Sequence, residues 1–335
     1  MRLEQLELSE WARFLPDSGF SVFHTAEALR VLDEYVPGDL HLFGAFKGQQ
    51  PVGVVPIFLR DTLSFRMAFS PPPGYGIREL GPLSYPSSPK RAKQEKVNKE
   101  FTTQLIDAVD AESSTTLFRM SVGPYHRDIR PFLWKDFDVC PSYTYKLDLE
   151  STTAEKLLGS FTKGLRRDIR TGEDSDVIVR IGEAEPDGRN IYESVQSRYD
   201  DQEKNFLPSW EYTRDMIDSL GDRARVYVAE AADGEFLSGI VALYSNDTAC
   251  FWKGGTGRSN HNFSVNSLLH WRIINDILDG EVEYDVDQYD FHTANNERIV
   301  QYKSKFNGTL VPHYRIESSG VAMTTAKKVY RMVVQ

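Results

Sequence analysis

The chain is poor in cysteine, in metal-ligand spacings, in long apolar runs and in positive charge, and each shortage removes a class of protein. Its two cysteines, Cys140 and Cys250, lie far apart in 335 residues, and no CxxC, HxxxH or HxxH spacing occurs. Neither a disulfide framework nor a zinc site is expected, no bound metal or cofactor is implied, and a reducing cytoplasm fits. A bilayer crossing needs about 18 apolar residues in a row, and no such run is present. The N-terminal segment MRLEQLELSEWARF lacks the apolar core of a secretory signal, so the chain is expected to be cytoplasmic. The N-x-S/T triplets at Asn246, Asn262 and Asn307 then read as chance. With 49 acidic against 39 basic side chains the formal charge is −10, and the field of the whole molecule repels nucleic acid and anionic membrane. An anionic ligand must therefore find a local basic patch, and DNA is not an expected partner.

What is present in quantity is apolar and aromatic side chain, 40% and 12% of the residues. That is enough for a large core, and the length favours two domains. An internal repeat says how they divide. PVGVVPIFLRDTLSFRMAF and FLSGIVALYSNDTACFWKGG align at a spacing of 186, pairing Gly53 with Gly239, Asp61 and Thr62 with Asp247 and Thr248, and Phe65 with Phe251. Each copy reads as a three-stranded antiparallel meander. At a spacing of 168 the helical segment 97–111 falls on 265–280, and Arg130, Trp134 and Lys135 fall on Arg298, Tyr302 and Lys303. The spacing then drifts to 171, where Pro141 and Tyr143 meet Pro312 and Tyr314. It shortens after the meander because the first copy carries the loop SPPPGYGIRELGPLSYPSSPKRAKQEK, whose prolines and glycines oppose regular structure.

The expected fold is thus α+β, two tandem lobes at 1–147 and 148–335, each a mostly antiparallel mixed sheet flanked by helices. A meander, a glycine-bearing loop, a helix, a strand and a closing helix and strand resemble the GNAT acyltransferase fold. Two such lobes in tandem resemble the Fem family of peptidyl and aminoacyl transferases and its acetyltransferase-like relatives. The segments that carry the resemblance are PFLWKDFDVCPSYTYKLDLE, LLGSFTKGLRRDIRTGE and YDFHTANNERIVQYKSKFNGTLVPHYRIE. In the last of these the family pattern of YDF, then FK, two residues and FG reads Tyr289-Asp290-Phe291, Tyr302-Lys303 and Phe306-Asn307-Gly308, with His292 where the family usually has glycine.

Three constellations are candidates for chemistry. The run NNERIVQYKSKF is expected to be a helix with an asparagine cap and an Asn-Gly stop. At about 100° per residue, Lys303 shares an apolar face with Ile299 and Phe306, while Arg298, Gln301 and Lys305 lie on the other side. Such a lysine either snorkels to the surface or points into a cleft. The resemblance implies a role for Lys303 in acyl transfer, where a cation stabilises the oxyanion of a tetrahedral intermediate. Asp290 would orient that lysine, accept a proton from the attacking amine, or merely cap its turn in solvent.

The segment AEKLLGSFTKGLRRDIRTG is expected to be one helix, with Leu158, Phe161, Leu165 and Ile169 on one face and Lys163, Arg166, Arg167 and Arg170 on the other. The cationic stripe is either a phosphate-binding surface or a solvated helix face. The third place is the strand, glycine-rich loop and helix in WKGGTGRSNHNFSVNSLLHW, where Gly254, Gly255 and Asn266 are candidates for binding a donor. The Q/R-x-x-G-x-G/A signature that the GNAT resemblance implies for coenzyme A is absent. The resemblance therefore implies N-acyl transfer from an acyl-CoA or an aminoacyl-tRNA to the amine of a small molecule or cell-envelope precursor, with Lys303 near the oxyanion and no metal. An acetyl-CoA-dependent N-acetyltransferase of an amino sugar or small amine, and a tandem-lobe binding module without chemistry, are the two rivals. The acidic charge disfavours a large tRNA footprint.

Overall fold

The computed structural model describes residues 1–85, 88–126, 128–203, 208–256 and 261–319. In chain order the first elements are β1 (Arg2–Gln5), α1 (Leu8–Trp11), α2 (Ala26–Tyr35), β2 (Asp39–Lys47), β3 (Gln50–Asp61), β4 (Arg66–Ser70), β5 (Leu83–Ser84), α3 (Arg91–Ala108), β6 (Thr116–Val122), α4 (Arg130–Leu133) and β7 (Asp138–Asp148). There follow α5 (Ala154–Ser160), α6 (Lys163–Glu173), β8 (Ile178–Gly182), α7 (Arg189–Asp200), α8 (Trp210–Leu220), β9 (Ala224–Glu230), β10 (Phe236–Tyr244) and β11 (Thr248–Thr256). The last are α9 (Val265–Leu278), β12 (Gln288–Thr293), α10 (Glu297–Lys303) and β13 (Thr309–Glu317).

Both expected meanders are present. β2, β3 and β4 pair antiparallel in turn, as do β9, β10 and β11. Each meander's last strand then runs parallel to the strand after the next long helix, β4 beside β6 and β11 beside β12. Parallel neighbours need a crossover, and α3 and α9 supply it.

The chain forms two compact units, one of Met1–Ser142 with the segment from Pro312 onward and one of Tyr143–Val311. The division thus departs from the expected one at 147/148, and strand pairing is the reason. Residues 144–148 of β7 pair antiparallel with β12, while residues 314–317 of β13 pair with β6. Each repeat's closing strand therefore satisfies its backbone in the sheet of the other repeat.

Two helices differ from expectation. α3 starts at Arg91, earlier than the apolar pattern indicates, because KRAKQEK consists of good helix formers and Arg91–Glu95 and Lys96–Glu100 face each other one turn apart. The helix expected over 154–172 is two: Phe161 and Thr162 are extended, and the Thr162 hydroxyl accepts the Leu165 N–H to cap α6. The break lets Phe161 reach the core, with ring centroids 5.3 Å from Phe306 and 5.9 Å from Trp271. The first unit's core gathers Phe101, Leu105, Phe118, Phe132 and Phe137, and the second unit's gathers Leu165, Ile169, Ile240, Leu269, Ile273 and Phe306. Among the described residues no helix is long and apolar enough to cross a membrane.

Candidate active site

In the second unit the parallel pairing of β11 and β12 lasts only from Thr248↔Gln288 to Cys250↔Asp290. Past that point the strands carry no register with one another, which leaves a wedge at their C-terminal ends, where open α/β sheets commonly take ligands. β11 is also bulged there: Val241 of β10 faces Lys253 and Ala242 faces Phe251, so Trp252 is the extra residue. A bulge re-aims the side chains around it.

Lys303 spans the wedge. It ends α10, whose Asn296 cap accepts the Arg298 N–H, and it is only 7% exposed. Its ammonium donates to the carbonyls of Phe291 and Thr293, the latter at 2.8 Å, and lies 5.5 Å from the ring centroid of Phe251 on the opposing strand. The expectation of an apolar face is met by Lys303 and the fully buried Phe306, but Ile299 is exposed. Snorkelling does not describe this lysine, because its charge is held inside by backbone oxygens.

Asp290 explains why those oxygens are aimed at Lys303. It is fully buried, which excludes the solvated cap. Its Oδ1 accepts the Thr144 hydroxyl at 2.5 Å and the His292 N–H at 2.8 Å, and its Oδ2 stands 4.0 Å from Lys146 Nζ. The Thr144 hydroxyl also donates to the His292 carbonyl. These bonds hold His292 at φ +64°, a left-handed conformation that favours glycine. The flanking carbonyls of Phe291 and Thr293 are the ones that receive the ammonium. Asp290 thus positions Lys303 through the backbone.

Sequence reasoning passed over His270, Thr144, Lys146, Phe251 and Lys253. His270, on the buried face of α9, is ringed by Phe251, Tyr289, Phe291, Tyr302 and Phe306, with centroids 5.2 to 6.2 Å away. Its Nδ1 is 2.7 Å from the Tyr289 hydroxyl. Burial, reinforced by the Lys303 charge, pushes its pKa down to about 3, so it is neutral. A histidine in an apolar helical run reads as core, and that is its packing here. Lys253 is buried 4.7 Å from the Trp252 ring centroid, and burial lowers its amine to about 7. It lies past the splay point, where a depressed amine pKa makes a proton acceptor near neutral pH.

The other candidates stand apart from Lys303's immediate partners. On α6, Lys163, Arg167 and Arg170 are exposed. Arg166 Nη1 is committed to the carbonyls of Gly159 and Phe161, at 2.8 and 2.9 Å, where it closes α5. The Thr162 N–H donates to the Lys305 carbonyl at 3.0 Å, which brings the start of the stripe beside the residues that follow Lys303. Gly254 and Gly255 are paired with Ile240 and Gly239 of β10. A Cβ on Gly255 would lie 2.6 Å from the Ile191 carbonyl of α7, and one on Gly254 would lie 2.6 Å from the tip of Phe251. The glycines make room for α7 and for the Phe251 ring. The Asn266 side-chain oxygen accepts the Ser238 hydroxyl at 2.7 Å, and the same hydroxyl reaches the Gly255 carbonyl at 2.8 Å, tying the first turn of α9 to the sheet. Gly257, also in the glycine-rich loop, lies outside the described residues.

Among the described residues the first unit lacks this arrangement. Lys135, the repeat's counterpart of Lys303, makes a surface ion pair with Glu112 at 2.7 Å. β4 and β6 remain paired for five residues, from Arg66↔Thr116 to Ser70↔Met120. Beyond them the long loop returns: the Gly81 N–H donates to the Ser121 carbonyl at 2.9 Å, and the Ser70 hydroxyl reaches the Pro56 and Leu80 carbonyls. The gap that is open in the second unit is filled by chain in the first.

Comparison with known proteins agrees with this asymmetry. Residues 159–304 match the family model described as the acetyltransferase (GNAT) domain. No curated protein matches by sequence. Among solved structures, FemX is similar over 100% of both chains at 10% identity, with a TM-score of 0.70. L-PGS from Bacillus licheniformis gives 0.55 at 12% identity, over 92% of this chain and 96% of that one. A tandem GNAT protein of the clavulanic acid biosynthesis pathway gives 0.52 at 12% identity, over 96% and 100%. At such identities the likeness concerns the fold, which is the tandem α+β arrangement expected.

Proposed function

From a chain whose residues 159–304 match the acetyltransferase (GNAT) domain, we propose an N-acyl or aminoacyl transferase whose acceptor is the amine of a small molecule or cell-envelope precursor. One observation carries the reading: a buried ammonium, Lys303, fixed by two backbone carbonyls between the splayed ends of β11 and β12. In the reaction the acceptor nitrogen attacks the activated acyl carbonyl, the oxygen gains negative charge, and the leaving thiolate or alkoxide departs as the amide forms. A preorganised cation at the developing oxyanion lowers the barrier without reorganising in the act. The surplus proton of the attacking amine needs an acceptor. Asp290 is occupied in holding its turn, which leaves Lys253, on β11 past its last pairing with β12 and with its amine pKa lowered to about 7 by burial, as the candidate acceptor.

The donor is an acyl-CoA or an aminoacyl-tRNA, and no metal enters the scheme. The similarity to FemX and to L-PGS supports the aminoacyl branch and an envelope acceptor. Lys163, Arg167 and Arg170 would meet donor phosphates, with Arg166 spending part of its donors on α5. Thermal shift and native mass spectrometry with acetyl-CoA, aminoacyl-tRNA and nucleotide-sugar precursors in parallel test the reading. It expects stabilisation by one donor together with an amine acceptor. No shift with any donor, alongside tight binding of a precursor, would favour a module that binds without chemistry.

A further inference from the structure

We propose that the first unit docks on an anionic phospholipid bilayer through the outer face of α3 and the turn that follows α4. This surface lies outside the wedge and does not rest on the acyl-transfer reading. In a chain of net charge −10, residues 90–99 carry Lys90, Arg91, Lys93, Lys96 and Lys99 against the single acid Glu95. All five cations are exposed, while Phe101, Thr102, Leu105 and Ile106 on the other side of α3 are buried.

Beside this face the chain exposes two large apolar residues, Leu133 at 47% and Trp134 at 55%. Their exposure is built in. Phe132 and Phe137 both pack on Phe118, at 6.4 and 5.3 Å between centroids, and Asp136 turns the chain at φ +58° to bring Phe137 back. The residues between those two anchors must face outward. Lys99 and Arg130 sit 5.8 and 5.6 Å from the indole centroid, so the cations and the aromatic form one patch. Several acids nearby are committed, Asp128 and Glu95 to Arg130, Glu95 also to Arg91, and Glu112 to Lys135, while Asp136 and Asp138 stay exposed beyond Trp134. Glu100 approaches Lys96 only at 3.8 Å.

Indole rings at the headgroup level, an aliphatic side chain dipping below it and lysines with snorkelling stems describe how a protein lies on a charged bilayer. RNA would use the cations and the indole but gains nothing from Leu133, so the bilayer accounts for the whole patch.

The test is co-sedimentation of the full chain with vesicles of phosphatidylcholine alone or mixed with phosphatidylglycerol. Binding is expected only with the anionic lipid and is expected to weaken at high salt. Tryptophan emission should shift to the blue on binding, and because the other four tryptophans are buried the shift reports Trp134. Each basic residue near an anionic surface is worth about fivefold, so Lys93→Gln, Lys96→Gln and Lys99→Gln together should weaken binding by about 100-fold. Leu133→Ser with Trp134→Ser should weaken it at least about tenfold, since partition scales with buried apolar area. Lys156→Gln, an exposed lysine of the second unit, should change nothing. Absence of binding to the anionic vesicles, or full binding by the triple lysine variant, would overturn the proposal. So would a triple variant that loses affinity for polyuridylate while the native chain ignores vesicles.

Discussion

Replacing Gly255 with alanine should loosen the second unit while leaving its chemistry intact. The new Cβ would stand 2.6 Å from the Ile191 carbonyl oxygen, 2.9 Å from Ile191 Cα and 2.8 Å from Ser194 Cβ. Those are backbone and Cβ atoms of α7, which cannot rotate aside, so the helix must move off the sheet by several tenths of an ångström. Overpacking of this kind costs about 1–3 kcal/mol. Gly254→Ala makes the opposite case. Its Cβ would meet only the far end of the Phe251 ring, at 2.6 and 2.7 Å, and a ring can turn. That ring is the one beneath the Lys303 ammonium, so the expected loss is in turnover rather than in stability. Urea unfolding followed by two independent probes, since a chain of two units need not unfold in one step, measures the first effect, and single-turnover kinetics measure the second. If Gly255→Ala kept native stability but lost affinity for the donor, the glycines would be a donor cradle and the packing argument would fail.

Three further outcomes follow from the same geometry. Thr144→Val removes a buried hydroxyl from the Asp290 carboxylate and should cost about 1.5–3 kcal/mol in urea unfolding, the range for a hydrogen bond to a charged group; an unchanged midpoint would show that the Asp290 turn holds itself. His270, neutral when folded and protonated when unfolded, makes stability fall as pH drops below about 6.5 toward its folded value of about 3. His126, pushed down to about 4 by burial in the first unit, acts in the same direction. His270→Gln should flatten the slope of unfolding free energy by about 1.4 kcal/mol per pH unit in that window, and an unaltered slope would mean that His270 is charged in the fold. Arg167→Glu should raise the Michaelis constant for a phosphorylated ligand and weaken its salt dependence, as expected for a lost phosphate contact; equal constants would return the stripe to a solvated helix face.

The repeat made the architecture legible in the sequence, because a meander, a helix and a strand each have their own period and recur in order. The closing strands were not legible as to destination. β7 and β13 have the pattern of strands, but which sheet accepts them depends on partners more than a hundred residues away, as Asp148↔Gln288 and Arg119↔Glu317 show. At the site, helical spacing sufficed to place Lys303 on an inward face. The reason for its position was not readable, since the turn that receives it depends on Thr144, a residue 146 positions from Asp290. The cationic stripe has helical spacing in the sequence, but a helix wheel cannot show that Arg166 turns back to the carbonyls of Gly159 and Phe161. Gly254 and Gly255 drew attention as a loop signal, whereas the atoms that would crowd a Cβ there come from α7 and from Phe251, which a linear motif does not contain.

The most direct measurement is the single-turnover rate of Lys303→Met beside Lys305→Met. Methionine keeps an unbranched apolar stem in the wedge and removes the charge, and the folded fraction of each variant is taken from its unfolding curve, because the carbonyls of Phe291 and Thr293 lose a donor. Loss of one oxyanion-stabilising group predicts a fall of about 10²–10³ for the Lys303 variant, and no change for the Lys305 variant, whose side chain is exposed. Equal rates for the two folded variants would contradict the assignment of the buried ammonium to the acyl-transfer step.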